Sequence, residues 1–221
     1  MKWKGIIFDL DGVLCTTDQY HYKAWKQIAD RLPAYFDEQI NQRLRGVSRT
    51  ESLEVILENY AGPPLAESEK KKILEEKNQI YRQYLKNIGK KDASEGVYET
   101  LRGLQKDGYR LAVGSSSKNT ALILERLDMR TFFQAVVDGT QITYSKPYPE
   151  VFQKAAEALK LPAQDCLVVE DAAAGVEAGH KAGMEVACVG QASAEKLGDY
   201  NLSRIKDILN IVGCTGQPVW R

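Results

Sequence analysis

The feature that most constrains this chain is an alternation. From about residue 95 onward, short apolar runs take turns with stretches of helical periodicity. The runs are Arg110–Gly114, Ala135–Val137, Cys166–Val169 and Val186–Val189. Between them, helices are predicted over 95–107, 121–127, 149–160 and 172–182. Strands that alternate with helices in this way pair in parallel, with the helices covering both faces of the sheet. A further apolar run, Trp3–Phe8, heads the chain and reads as another buried strand. The expected fold class is therefore α/β, a doubly wound parallel sheet.

A crossover between parallel strands needs few residues beyond its helix. The interval between Phe8 and Leu111 is far longer than that. It is filled by helical patterns: an apolar stripe of Ala24, Trp25, Ile28 and Leu32 stopped by Pro33, and a short segment at 37–44. Ser48-Arg-Thr-Glu51 then has the spacing of a capping box. It should open a helix that buries Leu53, Ile56, Leu57 and Tyr60. Gly62-Pro63-Pro64 breaks this helix, and a long one follows from about Glu67 to Lys86, with Ile73, Ile80, Tyr81 and Tyr84 in register. This block is expected to be an inserted helical cap domain, residues 16–88. Residues 1–15 and 89–221 form the core domain, and hinges lie near 14–17 and in 87–93.

Ligands of doubly wound sheets bind beyond the carboxyl ends of the strands. Those ends carry the chemistry here. Phe8 gives way to Asp9-Leu-Asp11-Gly12. Residues two apart in an extended chain point the same way, so two carboxylates can face one small volume. They repel one another, and either would be costly to bury unpaired. A divalent cation or a phosphate-handling site accounts for them better than packing, and Gly12 lets backbone N–H groups approach an anion. Ser115-Ser-Ser117 follows the strand at 110–114, Glu170-Asp171 follows the strand at 166–169, and Lys146 stands before Pro147. Singly, these read as a polar helix start, acids suited to a helix N-terminus and a solvated lysine. Their convergence is the signal.

Lysine and arginine total 30 and aspartate and glutamate 30 among 221 residues. This balance argues against a broad basic surface for nucleic acid and favours small-molecule partners. There is no signal peptide and no apolar run of membrane-spanning length. The cysteines at 15, 166, 188 and 214 have no paired spacing and read as reduced thiols. A cytoplasmic monomer is the expectation.

These segments resemble the haloacid dehalogenase (HAD) superfamily of phosphoryl-transfer enzymes, whose core motifs match Asp9-Leu-Asp-Gly-Val, Ser115, Lys146 and Glu170-Asp171. Thr16-Thr17 through Tyr20-His21, Ala24-Trp25, Gly46-Val47-Ser48-Arg49, Lys77-Asn78 and Ser115-Ser116-Ser-Lys118-Asn119 are similar to its sugar-phosphate mutase branch. They are shared in part with related sugar-phosphate phosphatases. The resemblance implies a HAD-like Rossmannoid core with a cap. It implies that Asp9 attacks phosphorus and that Asp11 serves as acid and base. Mg2+ would be held by Asp9, the backbone carbonyl of Asp11 and Asp171, with Glu170 close by. Gly12, Thr17, His21, Trp25, Gly46, Val47, Ser48, Arg49, Lys77, Ser115, Ser116, Lys118, Asn119 and Lys146 would bind substrate or phosphate. The implied activity is a phosphomutase interconverting β-D-glucose 1-phosphate and D-glucose 6-phosphate through β-D-glucose 1,6-bisphosphate. Alternatives are a Mg-dependent sugar-phosphate phosphatase and a non-catalytic phosphosugar-binding regulator.

Two cap residues stand out without that resemblance. Arg49 lies in the first turn of its predicted helix, where the partial positive charge disfavours a cation. It either binds an anion there, for which the non-transferring phosphate is the candidate, or pairs with Glu51 at the surface. Lys77 interrupts an apolar helix face between Ile73 and Tyr81, and either snorkels to the edge or faces the site. His21 heads the Ala24–Trp25 stripe, as a core histidine or as a link between the cap and Asp11. His180 reads as exposed. Tyr148, between Pro147 and Pro149, occupies a place that relatives usually give to a smaller residue. The stretch from about Asn201 onward carries no usable motif.

Overall fold

The computed structural model describes residues 1–213. Strand β1 (Gly5–Phe8) is followed by helices α1 (Asp18–Ala29), α2 (Glu38–Gln42), α3 (Arg49–Leu57) and α4 (Glu67–Leu85). The alternation follows: α5 (Val97–Lys106), β2 (Arg110–Gly114), α6 (Thr120–Arg126), β3 (Ala135–Val137), α7 (Glu150–Ala158), β4 (Cys166–Glu170), α8 (Ala173–Lys181) and β5 (Glu185–Cys188). Helix α9 (Gly190–Ala194), β6 (Tyr200–Asn201) and α10 (Ile208–Ile211) complete the described chain.

The strands form one parallel sheet in the order β3-β2-β1-β4-β5-β6. Chain order runs outward in both directions from β1, so the switch point lies at β1 and β4. Side chains alternate between two cores. Ile6, Phe8, Leu111, Val113, Leu167 and Val169 point to one face, where Leu101, Leu104, Ile123 and Ile208 cover them. Ile7, Ala112, Cys166 and Val168 point to the other, against Phe152, Ala155, Val176 and Ala178. Each fully buried branched or aromatic side chain is worth about 1.5–3 kcal/mol relative to exposure. Both faces being covered explains why these strands read as continuous apolar runs.

The four helices after β1 have their own smaller core of Trp25, Ile28, Ala29, Phe36, Leu53 and Ile56. The capping box that opens α3 is formed, with the Ser48 hydroxyl accepting from the Glu51 N–H and Glu51 Oε2 accepting from the Ser48 N–H at 2.8 Å. Tyr60 departs from expectation: α3 ends at Leu57, and Tyr60 pairs with Ala34 beyond it. The next residue donates its N–H to Pro33 O at 2.9 Å, which draws this segment off the helix axis.

The two connections between this helical block and the sheet run side by side. Cys15 and Ala93 form an antiparallel bridge, Thr16 N–H donates to Asp92 O at 3.0 Å, and Ser94 N–H donates to Leu14 O at 3.0 Å. From about Asn201 onward no motif was legible, and β6 and α10 are too short to carry a periodicity. Cys15, Cys166 and Cys188 are buried free thiols; Cys214 lies outside the described residues.

Candidate active site

Phe8 pairs in register with both Val113 and Val169. The three strands therefore end at one level and deliver Asp9, Ser115 and Glu170 to the same edge. A cavity of about 610 Å³ opens there, between the sheet ends and the helical block. That size lies within the usual range for a small-molecule site.

Lys146 is fully buried at its base, with Nζ 2.5 Å from Asp9 Oδ1 and 2.5 Å from Glu170 Oε1. Burial works against its charge, but the two carboxylates outweigh that and hold it protonated above the ordinary lysine range. The other Glu170 oxygen accepts the backbone N–H groups of Asp171 (2.8 Å) and Ala172 (3.1 Å), so Glu170 also ties down the start of α8. Ligand oxygens of Asp9, Glu170 and Asp171 lie within 4.8 Å of one another. Burial pushes the Asp171 carboxyl up to about 9, with Glu170 and Asp9 adding to it. Burial likewise raises Asp9 to about 6, against the pull of Lys146. A cation among these acids would offset both the desolvation and the repulsion, and a donor set made only of oxygen suits a hard divalent ion. The residues present fit such an ion.

The Asp11 carboxylate is not part of that cluster. It accepts a hydrogen bond from the buried Thr17 hydroxyl. Burial, followed by the charges of Asp9 and Asp18, raises its pKa to about 8. Its protonated form is therefore favoured at neutral pH. Gly12 has φ +87°, and a Cβ there would come within 2.0 Å of Asp171 Oδ2. Only glycine allows the turn after β1 to press this close to the acid cluster.

The remaining predicted residues divide by depth. Asp9, Asp11, Asp171, His21, Trp25, Gly46, Val47, Ser48, Arg49, Lys77, Ser115, Ser116, Lys118 and Asn119 all line the cavity. Gly12, Thr17, Lys146 and Glu170 sit behind this wall and hold parts of it in place. The Ser115 hydroxyl accepts from Ser117 N–H at 3.1 Å, and the buried Ser116 Oγ has no hydrogen-bond partner among the described residues. Asn119 Nδ2 donates to Asn78 Oδ1 at 3.0 Å, which joins α4 to the loop after β2. A Cβ on Gly46 would lie 3.5 Å from the Ala172 Cβ, so the loop before α3 lies against the start of α8.

Arg49 does not pair with Glu51, whose carboxylate is taken by the capping box. Among the described residues it has no carboxylate partner; it makes a long hydrogen bond to Leu74 O at 3.4 Å. Burial lowers its pKa. Lys77 does not snorkel: it is 2 % exposed, and its Nζ lies 4.9 Å from the Trp25 ring centroid and 4.8 Å from that of Tyr81. His21 lies within the site, its ring 4.0 Å from that of Tyr81. His180 is exposed and pairs with Asp199 at 3.0 Å.

Tyr81, Asp18 and Arg45 are among the residues of the site that escaped the sequence reading. Tyr81 was legible only as helix register. Asp18 lines the cavity and is bonded by Arg45, which also reaches Gln191 Oε1 at 3.4 Å from across the seam. The position of Arg45 immediately before Gly46-Val-Ser-Arg49 was the available cue.

Fold and site together are those of a hydrolase or phosphotransferase of the α/β class. Residues 6–189 match the family model for haloacid dehalogenase-like hydrolases, and the chain belongs to this family. It is 38% identical over 189 residues to the β-phosphoglucomutase of Bacillus subtilis (strain 168), which covers 85% of this chain and 84% of that protein. It is 30% identical over 184 residues to a phosphorylated carbohydrates phosphatase of Thermotoga maritima, covering 82% of each. The crystal structure of a β-phosphoglucomutase from Clostridium difficile superposes with a TM-score of 0.89 at 31% identity, over 96% of both chains.

Proposed function

We propose that this enzyme is a phosphomutase that interconverts β-D-glucose 1-phosphate and D-glucose 6-phosphate through β-D-glucose 1,6-bisphosphate. Asp9 is the nucleophile. In one half-reaction its carboxylate oxygen attacks a sugar phosphate, the phosphorus–oxygen bond to the sugar breaks, and Asp11 gives its proton to the departing sugar oxygen. In the other, a sugar hydroxyl attacks the Asp9 phosphate, Asp11 takes the hydroxyl proton, and the Asp9 carboxylate is regenerated. Phosphoryl transfer asks mainly for positioning and charge neutralisation. Lys146 and the Ser115 hydroxyl supply these at the transferring oxygens, with Ser116. Asp9, Asp171 and the Asp11 backbone carbonyl would hold Mg2+, with Glu170 beside them, and the ion would neutralise charge on the transferring group.

The observation that carries the mutase reading is Arg49, half-buried and without a carboxylate partner among the described residues, in the same cavity as Asp9. A bisphosphate that returns with its ends exchanged needs a second phosphate site. Arg49 offers it, helped by Ser48, Lys118 and Asn119 in the cavity wall. His21, Trp25 and Lys77 frame the sugar, with Gly46 and Val47. Residues 16–88 act as a cap that closes over it. The phosphatase reading is supported by the T. maritima relative. We also take the protein to be a monomer of the cytoplasm; the free, buried thiols of Cys15, Cys166 and Cys188 support the reducing compartment.

The test is product analysis from β-glucose 1-phosphate with and without the bisphosphate. A mutase gives glucose 6-phosphate, accelerated by the bisphosphate, with little free phosphate. Stoichiometric release of phosphate, unaffected by the bisphosphate, would replace this reading with the phosphatase.

A further inference from the structure

The loop that carries Lys146 also presents two tyrosines that the chemistry above does not use. Tyr144 is 59% exposed and Tyr148 53%, among the most exposed large apolar side chains described, yet both line the cavity that holds Asp9. Their rings pack against each other, with centroids 5.1 Å apart and planes at 36°. Neither hydroxyl has a hydrogen-bond partner among the described residues.

The loop beneath them is pinned. Glu150 Oε2 accepts the N–H groups of Thr143 (2.9 Å) and Tyr144 (2.8 Å), and Lys154 holds Glu150 at 2.7 Å. Tyr148 N–H donates to Ser145 O at 3.0 Å, and Lys146 between them is fixed on Asp9 and Glu170. The tyrosines thus form a fixed aromatic surface at the cavity mouth, flanked by Thr143 and Ser145, with Lys181 Nζ 6.0 Å from the Tyr148 ring centroid.

We infer that Tyr144 and Tyr148 form a ring-stacking subsite for a second pyranose carried by the phosphosugar. A pyranose presents a face of C–H groups that complements the electron-rich face of an aromatic ring, and its hydroxyls can bond to phenolic oxygens. This rests on the phosphosugar reading above. If the two ends of a hexose are taken by the Asp9 and Arg49 sites, a further ring can leave only from a lateral hydroxyl, towards the open side. The ligand class is therefore a disaccharide phosphate linked through a lateral hydroxyl of the phosphorylated hexose, of which the O4-linked form is the one tested.

The experiment is isothermal titration of the Asp9→Asn protein, in which turnover is blocked, with β-glucose 1-phosphate and with β-maltose 1-phosphate, the same sugar bearing a second ring on O4. The disaccharide phosphate should bind about two- to tenfold more tightly, the effect of one stacked ring contact. Adding Tyr144→Ala and Tyr148→Ala should abolish this advantage and leave β-glucose 1-phosphate affinity unchanged, whereas Tyr148→Phe should keep it. Binding of β-glucose 1-phosphate with no advantage for the disaccharide would overturn the subsite alone, as would an advantage that survives the double alanine variant. Binding of neither ligand would overturn both the subsite and the phosphosugar reading. Concentration-dependent dimerisation that the double variant removes would assign the tyrosines to contact between copies of this chain, and would equally overturn the subsite.

Discussion

Lys77 and His21 meet inside the cavity, the lysine Nζ lying 2.9 Å from the histidine Nδ1. Burial pulls both away from their charged forms. It lowers the histidine well below its usual range, with Lys77 and Arg49 adding to this, and lowers the lysine to about 7, with Arg49 adding and Asp11 opposing. The pair therefore stands near half-protonation at neutral pH, with a neutral imidazole able to accept from a charged lysine. A doubly charged phosphate beside it would restore the lysine's proton.

This pair gives a pH signature. Lysine ordinarily titrates at 10.5, so between pH 7 and 10.5 the unfolded chain holds a proton at Lys77 that the folded protein has lost. The cost of burying the charge is present in full below about pH 7 and is relieved as pH rises. Lys77→Met should be more stable than the parent at pH 7, with the difference shrinking by up to about 1.4 kcal/mol per pH unit towards pH 9. Urea unfolding at the two pH values checks this; a constant difference would place the lysine at its ordinary pKa.

The two aspartates beyond β1 should separate cleanly. Asp9→Asn should form no phosphoenzyme from any donor. Asp11→Asn should still be phosphorylated by acetyl phosphate, yet lose transfer to and from sugar hydroxyls by about a hundredfold or more. Quenched-flow measurement of the phosphoenzyme distinguishes these outcomes. Near-parental turnover in either variant would remove that residue from its role.

Arg49→Ala removes a charge-assisted contact worth about 1.5–3 kcal/mol. Mutase turnover should fall by roughly ten- to a hundredfold, while acetyl phosphate hydrolysis, which has no second phosphate to hold, stays nearly unchanged. Equal loss on both substrates would make Arg49 a structural residue of α3.

The acid cluster predicts a stability response to Mg2+. Thermal melting of the parent should rise with Mg2+ concentration as expected for a ligand bound only by the folded state. Asp171→Asn should lose most of that rise, and should melt higher than the parent at pH 7 without Mg2+, because the buried Asp171 carboxyl must take up a proton on folding and an amide need not. A parent indifferent to Mg2+ would leave the cluster without a cation role.

Much of the site was legible because it sits where chain patterns change. Asp9, Ser115 and Glu170 each follow the last apolar residue of a strand, and period and polarity switch together there. The Ser48–Glu51 box was legible for the same reason, as a local motif with a fixed spacing. Lys77 was visible as a misfit on an apolar face, but its fate was not, because snorkelling and burial differ only in what the neighbouring helix presents. Arg45, Asp18 and Tyr81 act across elements brought together by folding, which no local pattern encodes. Tyr60 failed because the pull of Pro33 on the chain is non-local. The two residues of β6 are simply shorter than any periodicity.

The paired connections at Leu14–Thr16 and Asp92–Ser94 have a consequence for how such an enzyme can change. The helical block leaves and re-enters the sheet at adjacent points, so a short turn between Cys15 and Ala93 would close the gap without altering the order of any strand. The block is mounted like a cartridge in a socket. Its helices can be exchanged, lengthened or rebuilt while Asp9, Lys146 and Glu170 keep their places. On the proposed reading, reaction and substrate choice can therefore be inherited, and can diverge, on separate schedules.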